Sequence, residues 1–155
     1  VLDDSAHLRS VSLKTISLSA TSQKDIVAIG APFNVTSAPG YAAVLESTVT
    51  NIGGVDVRSP WGPYFFAAVN EDQNFGWSVS LSNSGNYLVV GAPYSSTNNQ
   101  GQVRIYNNNN NWEKEIGVGV AGKVGSELFG YSIAIDGSGN RFVAGSPGPD
   151  KAKVY

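Results

Sequence analysis

The sequence predicts an all-β fold built from repeated antiparallel units, and three observations carry that reading. Phe75-Gly76-Trp77-Ser78 through Gly91-Ala92-Pro93 is written again as Phe129-Gly130-Tyr131-Ser132 through Gly145-Ser146-Pro147. A weaker copy lies upstream, from Ile16-Ser17-Leu18-Ser19 to Gly30-Ala31-Pro32. Within the copies the apolar runs have strand length and are bounded by Ser, Asn and Gly turns. A repeat of roughly 50 to 60 residues cannot bury its own apolar face, so the units must stack as blades, coils or an array.

In chain order, residues 1–10 hold Asp3, Asp4 and His7 and read as an N-terminal arm. Ile16 to Ser19 alternates apolar with polar residues, as a half-buried strand does, and Asp25 to Ile29 is a fuller apolar strand ended by Gly30-Ala31-Pro32. The loop from Asn34 to Gly40 leads into a third strand, Tyr41 to Leu45. Val49 to Val57 around Gly53-Gly54 reads as a hairpin, and Tyr64 to Val69 after Pro63 as a further strand. The second copy is cleaner: Phe75 to Leu81, the turn Ser82 to Asn86, Tyr87 to Val90, then Gln102 to Tyr106, the Asn107 to Asn111 run, and a fourth strand from Trp112 to Val120. The third copy repeats this order through Phe129 to Ile135, Gly137 to Asn140, Phe142 to Ala144 and Lys153 to Tyr155. The predicted units are 12–70, 74–125 and 128–155, within one repeat domain over 11–155. Their first strands should lie innermost, with Ile26 to Ile29, Leu88 to Val90 and Phe142 to Ala144 as buried neighbours.

The repeated residues have architectural reasons. Phe75 and Phe129 precede the first strands, where a large ring can pack between neighbouring sheets. Gly76 and Gly130 mark backbone positions with positive φ or no room for Cβ. Ser78 and Ser132 can satisfy a backbone amide at the strand start. Gly91 and Gly145, with Gly30, allow close backbone approach, and Pro32, Pro93 and Pro147 end pairing by removing a ladder donor.

Ten basic and twelve acidic residues give a net charge of −2, with no basic stripe to hold a nucleic acid backbone. The chain has no Cys, which excludes disulfides, Cys-ligated metals and thiol nucleophiles. No apolar run approaches the roughly 18 to 20 residues of a membrane-crossing helix, so no membrane span is predicted. Val1 is not a translation start, which points to processing of a secreted precursor and an extracellular or cell-surface location.

The pattern Phe-Gly-x-Ser, a Gly-Asn turn, an apolar strand, Gly-Ala-Pro and then a Gly-x-Val-x-x-Tyr strand resembles the FG-GAP repeat of integrin α-subunit β-propellers and their relatives. The resemblance covers about residues 12–45, 74–120 and 128–155. It implies β-propeller-like blades of antiparallel sheet, here about three. Since a propeller typically needs about four to eight blades, it also implies an incomplete propeller or part of an assembly. By resemblance, Phe75-Gly76 and Phe129-Gly130 take the Phe-Gly positions, and Gly30-Ala31-Pro32, Gly91-Ala92-Pro93 and Gly145-Ser146-Pro147 the Gly-Ala-Pro positions. The function implied is extracellular adhesion, ligand display, or carbohydrate or protein binding. Many such repeats carry an Asp-x-Asp-x-Asp-Gly calcium loop, whereas this chain has Asn83-Ser84-Gly85-Asn86 and Asp136-Gly137-Ser138-Gly139-Asn140. Only Asp136 can supply a carboxylate there, and calcium takes about six to eight oxygen ligands. No metal site and no cofactor are predicted.

Asn34-Val35-Thr36 is an acceptor pattern for N-glycosylation. Trp61, Trp77, Tyr94 and Trp112 are candidate ligand platforms for a saccharide, with packing between blades as the alternative. Asp3, Asp4 and His7 make a poor metal site, and no nucleophile elbow surrounds any Ser. Glu71, Asp72, Glu127 and Asp136 would act as glycosidase carboxylates only if paired at about 5 to 9 Å. The expected function is a non-enzymatic extracellular structural or adhesive module whose partners are other protein chains, chiefly further copies of itself. The alternative is a propeller lectin whose partners are glycans.

Overall fold

The structure, a computed structural model, describes residues 9–19, 22–32, 40–67, 74–95, 98–108, 112, 120–148 and 151–155. They form twelve strands in three antiparallel sheets. The first sheet holds β1 (Ser10–Ser19), β2 (Ser22–Ala31), β3 (Tyr41–Ile52), β4 (Val55–Arg58) and β5 (Gly62–Ala67). The second holds β6 (Ser78–Leu81), β7 (Tyr87–Ala92), β8 (Gln102–Asn107) and β9 (Val120–Ala121), and the third β10 (Ser132–Ile135), β11 (Phe142–Ser146) and β12 (Lys151–Val154). The second and third sheets are meanders of consecutive strands, the first runs β1-β2-β3-β4 with β5 also paired to β3, and none closes on itself into a barrel or propeller. The all-β repeat class therefore stands in its coarser form, as three open sheets. Among the described residues no helix is long and apolar enough to cross a membrane.

In the first sheet β4 and β5 share one edge of β3. Val49 pairs with Arg58 and Glu46 with Gly62, so Ser59-Pro60-Trp61 faces only Ser47 and Thr48, a bulge of one extra residue. Pro60 has no N–H to give the ladder. Ser59 compensates: its N–H donates to the Thr48 carbonyl at 2.8 Å, its Oγ accepts the Thr48 N–H at 2.8 Å, and Ser47 Oγ donates to its carbonyl at 2.7 Å. The hairpin at Gly53-Gly54 forms as the sequence predicts, with both glycines at positive φ.

Successive sheets enclose two cores. The first gathers Ile26, Ala28, Ala42 and Val44 of the first sheet with Phe75, Val79, Leu81, Leu88, Val90, Ala92, Tyr106 and Trp112. The second gathers Val89 and Val103 with Phe129, Phe142 and Ala144, supported by Ile105, Val120, Ile133 and Ile135. Adjacent residues of β7 thus serve opposite cores: Leu88 and Val90 face the first sheet, Val89 the third. A sheet covered on both faces needs a continuous apolar run instead of an alternating one, which is why Leu88-Val89-Val90 is unbroken.

Three strand expectations change. β1 begins at Ser10, earlier than the Ile16 start read from the sequence, and β3 extends to Ile52, beyond Leu45. In the third sheet Phe142 and Ala144 are buried but Val143 between them is exposed, because only one face of that sheet is covered. For the expected strand from Trp112 to Val120, residues 113–119 lie outside the described residues, and Val120–Ala121 forms β9.

Candidate functional site

Strand register identifies equivalent positions in the three units. Ser10 pairs with Gly30, Ser78 with Gly91 and Ser132 with Gly145. The residues before these serines are Arg9, Trp77 and Tyr131, and the N–H groups of Arg9 and Trp77 donate to the carbonyls of Gly30 and Gly91 at 2.9 and 3.1 Å. The first copy therefore opens at Arg9-Ser10-Val11-Ser12-Leu13, matching Trp77-Ser78-Val79-Ser80-Leu81. Sequence reading finds this copy but places its start too late, at Ile16, because its β1–β2 hairpin is longer than the β6–β7 hairpin. The repeated Ser-Val-Ser-Leu is the signal that could have found that start.

The repeated motif residues assemble the junctions between sheets. Phe75 is buried in the first core and Phe129 in the second, each ring contributing about 1.5–3 kcal/mol of apolar burial. Gly76 and Gly130 both have φ of 88°. A Cβ on Gly76 would meet the Tyr41 carbonyl, and one on Gly130 the Gln102 carbonyl, at matching places on the preceding sheet. Likewise a Cβ on Gly91 would strike the Gly130 carbonyl and Ser78 Oγ. Ser78 Oγ donates to the Gly130 carbonyl at 2.7 Å, tying the second sheet to the third, and Ser80 Oγ accepts the Ile135 N–H at 3.2 Å. Phe129 also donates its N–H to the Gln100 carbonyl at 3.0 Å and forms a parallel bridge with Gly101.

Two carboxylates reinforce these junctions, and the sequence alone assigns this role to neither. Glu46 on β3 accepts from Lys24 Nζ at 3.0 Å, Asn108 Nδ2 at 3.1 Å and the Trp112 indole N–H at 3.0 Å. Glu127, 2% exposed, accepts from the Lys123 and Val124 N–H groups at 2.5 and 3.2 Å, from Ser146 Oγ at 3.4 Å and from Lys153 Nζ. Desolvation pushes the Glu127 carboxyl upward. The Lys153 bond, the two backbone bonds and the Lys153 charge outweigh it and hold the carboxyl at about 2.

The platform candidates part company. Trp112 is 1% exposed within the first core, so its ring offers no face to a ligand. Trp77 and Tyr94 meet edge-on at 5.2 Å, and Tyr131 joins Trp77 at 5.1 Å. The Arg9 guanidinium lies 3.4 Å over the Trp77 ring. Arg9, Trp77 and Tyr131, one from each unit, thus form a row that spans all three sheets. Trp61 is exposed elsewhere, with Arg58 5.5 Å from its ring. Gly30, Pro32 and Pro93 are buried at strand ends, whereas Pro147 is exposed. Asn34, Asp3, Asp4, His7, Glu71 and Asp72 lie outside the described residues.

Asp136 is committed to its own turn. Its carboxylate accepts from Ser138 Oγ at 3.0 and 3.1 Å and from the Gly139 and Asn140 N–H groups at 2.6 and 2.9 Å. Desolvation raises this carboxyl, but the bonds from Ser138 and the backbone override it and hold it low. Ser82 replaces Asp136 in the second unit, accepting the Tyr87 N–H at 3.1 Å. Among the described residues no three His, Cys, Asp or Glu side chains come together to hold a metal.

No curated protein matches the chain. The segment whose Phe-Gly and Gly-Ala-Pro residues form the centre of both junctions, residues 69–106, matches the family model described as FG-GAP repeat.

Proposed function

We propose that this chain is a non-enzymatic structural module of an extracellular or cell-surface protein, and that it associates with further copies of itself through its repeat faces. One observation carries this reading. Val89, Val103 and Ile105 of the second sheet face the third sheet across the second core. Register places Val143, Ala152 and Val154 of the third sheet at the equivalent positions. There Val143 is 39% and Val154 69% exposed, and Ala134, Ala152 and Ser132 are exposed beside them. The same apolar face is covered in one sheet and bare in the next, and contiguous bare apolar surface of this kind marks an association site.

The complementary face is that of the first sheet, where Val27, Ile29 and Leu45 are half-buried and lie across the sheet from Ile26, Ala28 and Val44. A third sheet packing onto the first sheet of another copy repeats the contact made twice inside the chain. Such a head-to-tail contact closes into a ring or continues as a filament according to its rotation. The FG-GAP repeat match over residues 69–106 supports the propeller-type version, in which sheets act as blades.

Light scattering on the native particle tests the reading, beside a denatured mass of 16.3 kDa. A native mass of two or more copies is expected, with Val154→Asp lowering it. A monomer at tens of micromolar, or an assembly indifferent to Val154→Asp, would refute head-to-tail association. The lectin alternative rests on Trp61 and Tyr94, and a glycan-array signal lost in Trp61→Ala would favour it instead.

A further inference from the structure

The hairpin of β3 and β4 carries a second interaction surface, independent of the third-sheet face. Thr50, Ile52, Val55 and Val57 lie on one of its faces, since Ile52 pairs with Val55 and Thr50 with Val57. Ile52, Val55 and Val57 are 63%, 64% and 48% exposed. The opposite face is polar: Asn51 Nδ2 donates to Asp56 Oδ1 at 2.7 Å, and Arg58 Nη1 donates to Asp25 Oδ2 at 2.8 Å and to Ser47 Oγ at 3.4 Å. β4 is also an edge strand, with a sheet neighbour only on the β3 side among the described residues.

The free edge has a definite hydrogen-bonding phase. Ser59 donates its N–H to Thr48 on β3, and antiparallel strands alternate between residues whose backbone groups point inward and outward. Val55, Val57 and Ser59 therefore spend their groups on β3, leaving those of Asp56 and Arg58 aimed outward. We infer that β4 pairs antiparallel with β4 of a second copy about a two-fold axis at Val57, so that Asp56 of each copy lies opposite Arg58 of the other. Three features of Asp56-Val57-Arg58 fit this register at once. The outward-pointing residues 56 and 58 exchange backbone bonds with each other. Their side chains, on the polar face, bring opposite charges together, and the two Val57 side chains meet at a non-hydrogen-bonded position, where Cβ atoms lie about 4.5–5.5 Å apart. An unrelated strand would satisfy the backbone but not the charge order. Pro60, which lacks an N–H, ends the pairing beyond Arg58.

The test uses the absence of native Cys. In the full chain, Val57→Cys on the axis should give a covalent dimer under mild oxidation at least tenfold faster than Val55→Cys, which the same register sets opposite Ser59 of the second copy. In the Val57→Cys background, Asp56→Lys alone and Arg58→Glu alone should each slow trapping several-fold, because each sets like charges opposite one another. Mixing the two should restore it as a mixed dimer, since the lysine introduced at position 56 of one chain then lies opposite the glutamate introduced at position 58 of the other. The unaltered Arg58 of the first chain likewise meets the unaltered Asp56 of the second. A fold defect from losing the Asn51 or Asp25 bond would not be rescued by mixing. Equal trapping at positions 55 and 57, or no rescue in the mixture, would overturn the proposal. Val154→Asp leaves this trapping unchanged, so failure of the head-to-tail reading and failure of this one are distinguishable.

Discussion

Glu127→Gln replaces a carboxylate that joins the loop before Phe129 to two strands of the third sheet, the central β11 through Ser146 and the edge strand β12 through Lys153. Its carboxyl sits at about 2, against an ordinary 4.5. At about 1.4 kcal/mol per tenfold change in proton affinity, that displacement amounts to about 3 kcal/mol of folding stability. The sign follows from the depressed folded value: the contribution is complete above pH 4.5 and is lost as pH falls toward 2. Gln approximates the protonated acid in shape and lacks the charge. Urea denaturation of both proteins, followed by tryptophan fluorescence between pH 7 and pH 2, should show a gap of about 3 kcal/mol at pH 7 that is still nearly full at about pH 4.5. It should narrow to under about 1 kcal/mol at pH 2. The other carboxylates are common to both proteins and cancel in the difference. A gap that stays constant from pH 5 to pH 2 would mean that shape, not charge, holds the loop, and no gap at pH 7 would refute the role of Glu127 altogether.

Gly91→Ala forces a methyl group against the Gly130 carbonyl and Ser78 Oγ, and should cost about 1–3 kcal/mol as overpacking, measured by the urea midpoint. Gly53→Ala meets no atom within 4 Å but keeps a φ of 62°, so it should cost about 1–2 kcal/mol from backbone strain alone. Glu46→Ala leaves the buried Trp112 indole N–H without its acceptor and should lose about 1–3 kcal/mol, whereas Glu46→Gln, which keeps a carbonyl there, should lose less by the same assay. Ser78→Ala removes a bond between the second and third sheets and should cost about 1 kcal/mol.

Much of the fold is legible in the sequence because its repeats are steric as well as apolar. Phe75 and Phe129 read as rings between sheets, and Gly53-Gly54 as a hairpin turn, since each is governed by local chemistry: ring size, or freedom at positive φ. The start of β1 is not legible. Its Ser-Val-Ser-Leu is separated from Gly30-Ala31-Pro32 by a long hairpin whose arms pair with each other from Ser10↔Gly30 to Ser19↔Ser22. A fixed repeat period cannot detect a unit lengthened in the middle, although strand register does so at once. Glu46 and Glu127 are equally hidden, because their partners lie on other strands and loops brought together only by folding. Trp112 reads as a platform because an aromatic beside an Asn-rich run has no local feature that distinguishes a surface ring from a core one. Its acceptor, Glu46, is far away in the chain.

The residues of the third sheet argue that the repeat encodes faces before it encodes partners. Val89 and Val143, Val103 and Ala152, and Ile105 and Val154 occupy matching positions, and in each pair both members are apolar. Only the first member of each pair is covered here. Had the outer face of the third sheet been meant for water, alternation with charged residues would cost nothing, since half the strand positions already point to a separate core. Instead, Lys151 and Lys153 point toward the covered side with Ser146 and Ala144, where Lys153 reaches Glu127, while the bare side keeps Val143, Ala152 and Val154. The glycine that admits the next sheet is kept as well: Gly145 stands where Gly91 receives the Gly130 carbonyl, and Ser132 stands where Ser78 donates to it. The third sheet retains the glycine, the serine and the apolar pairs of a junction, and on the proposed head-to-tail association charge introduced at Val154 is the substitution expected to separate association from folding.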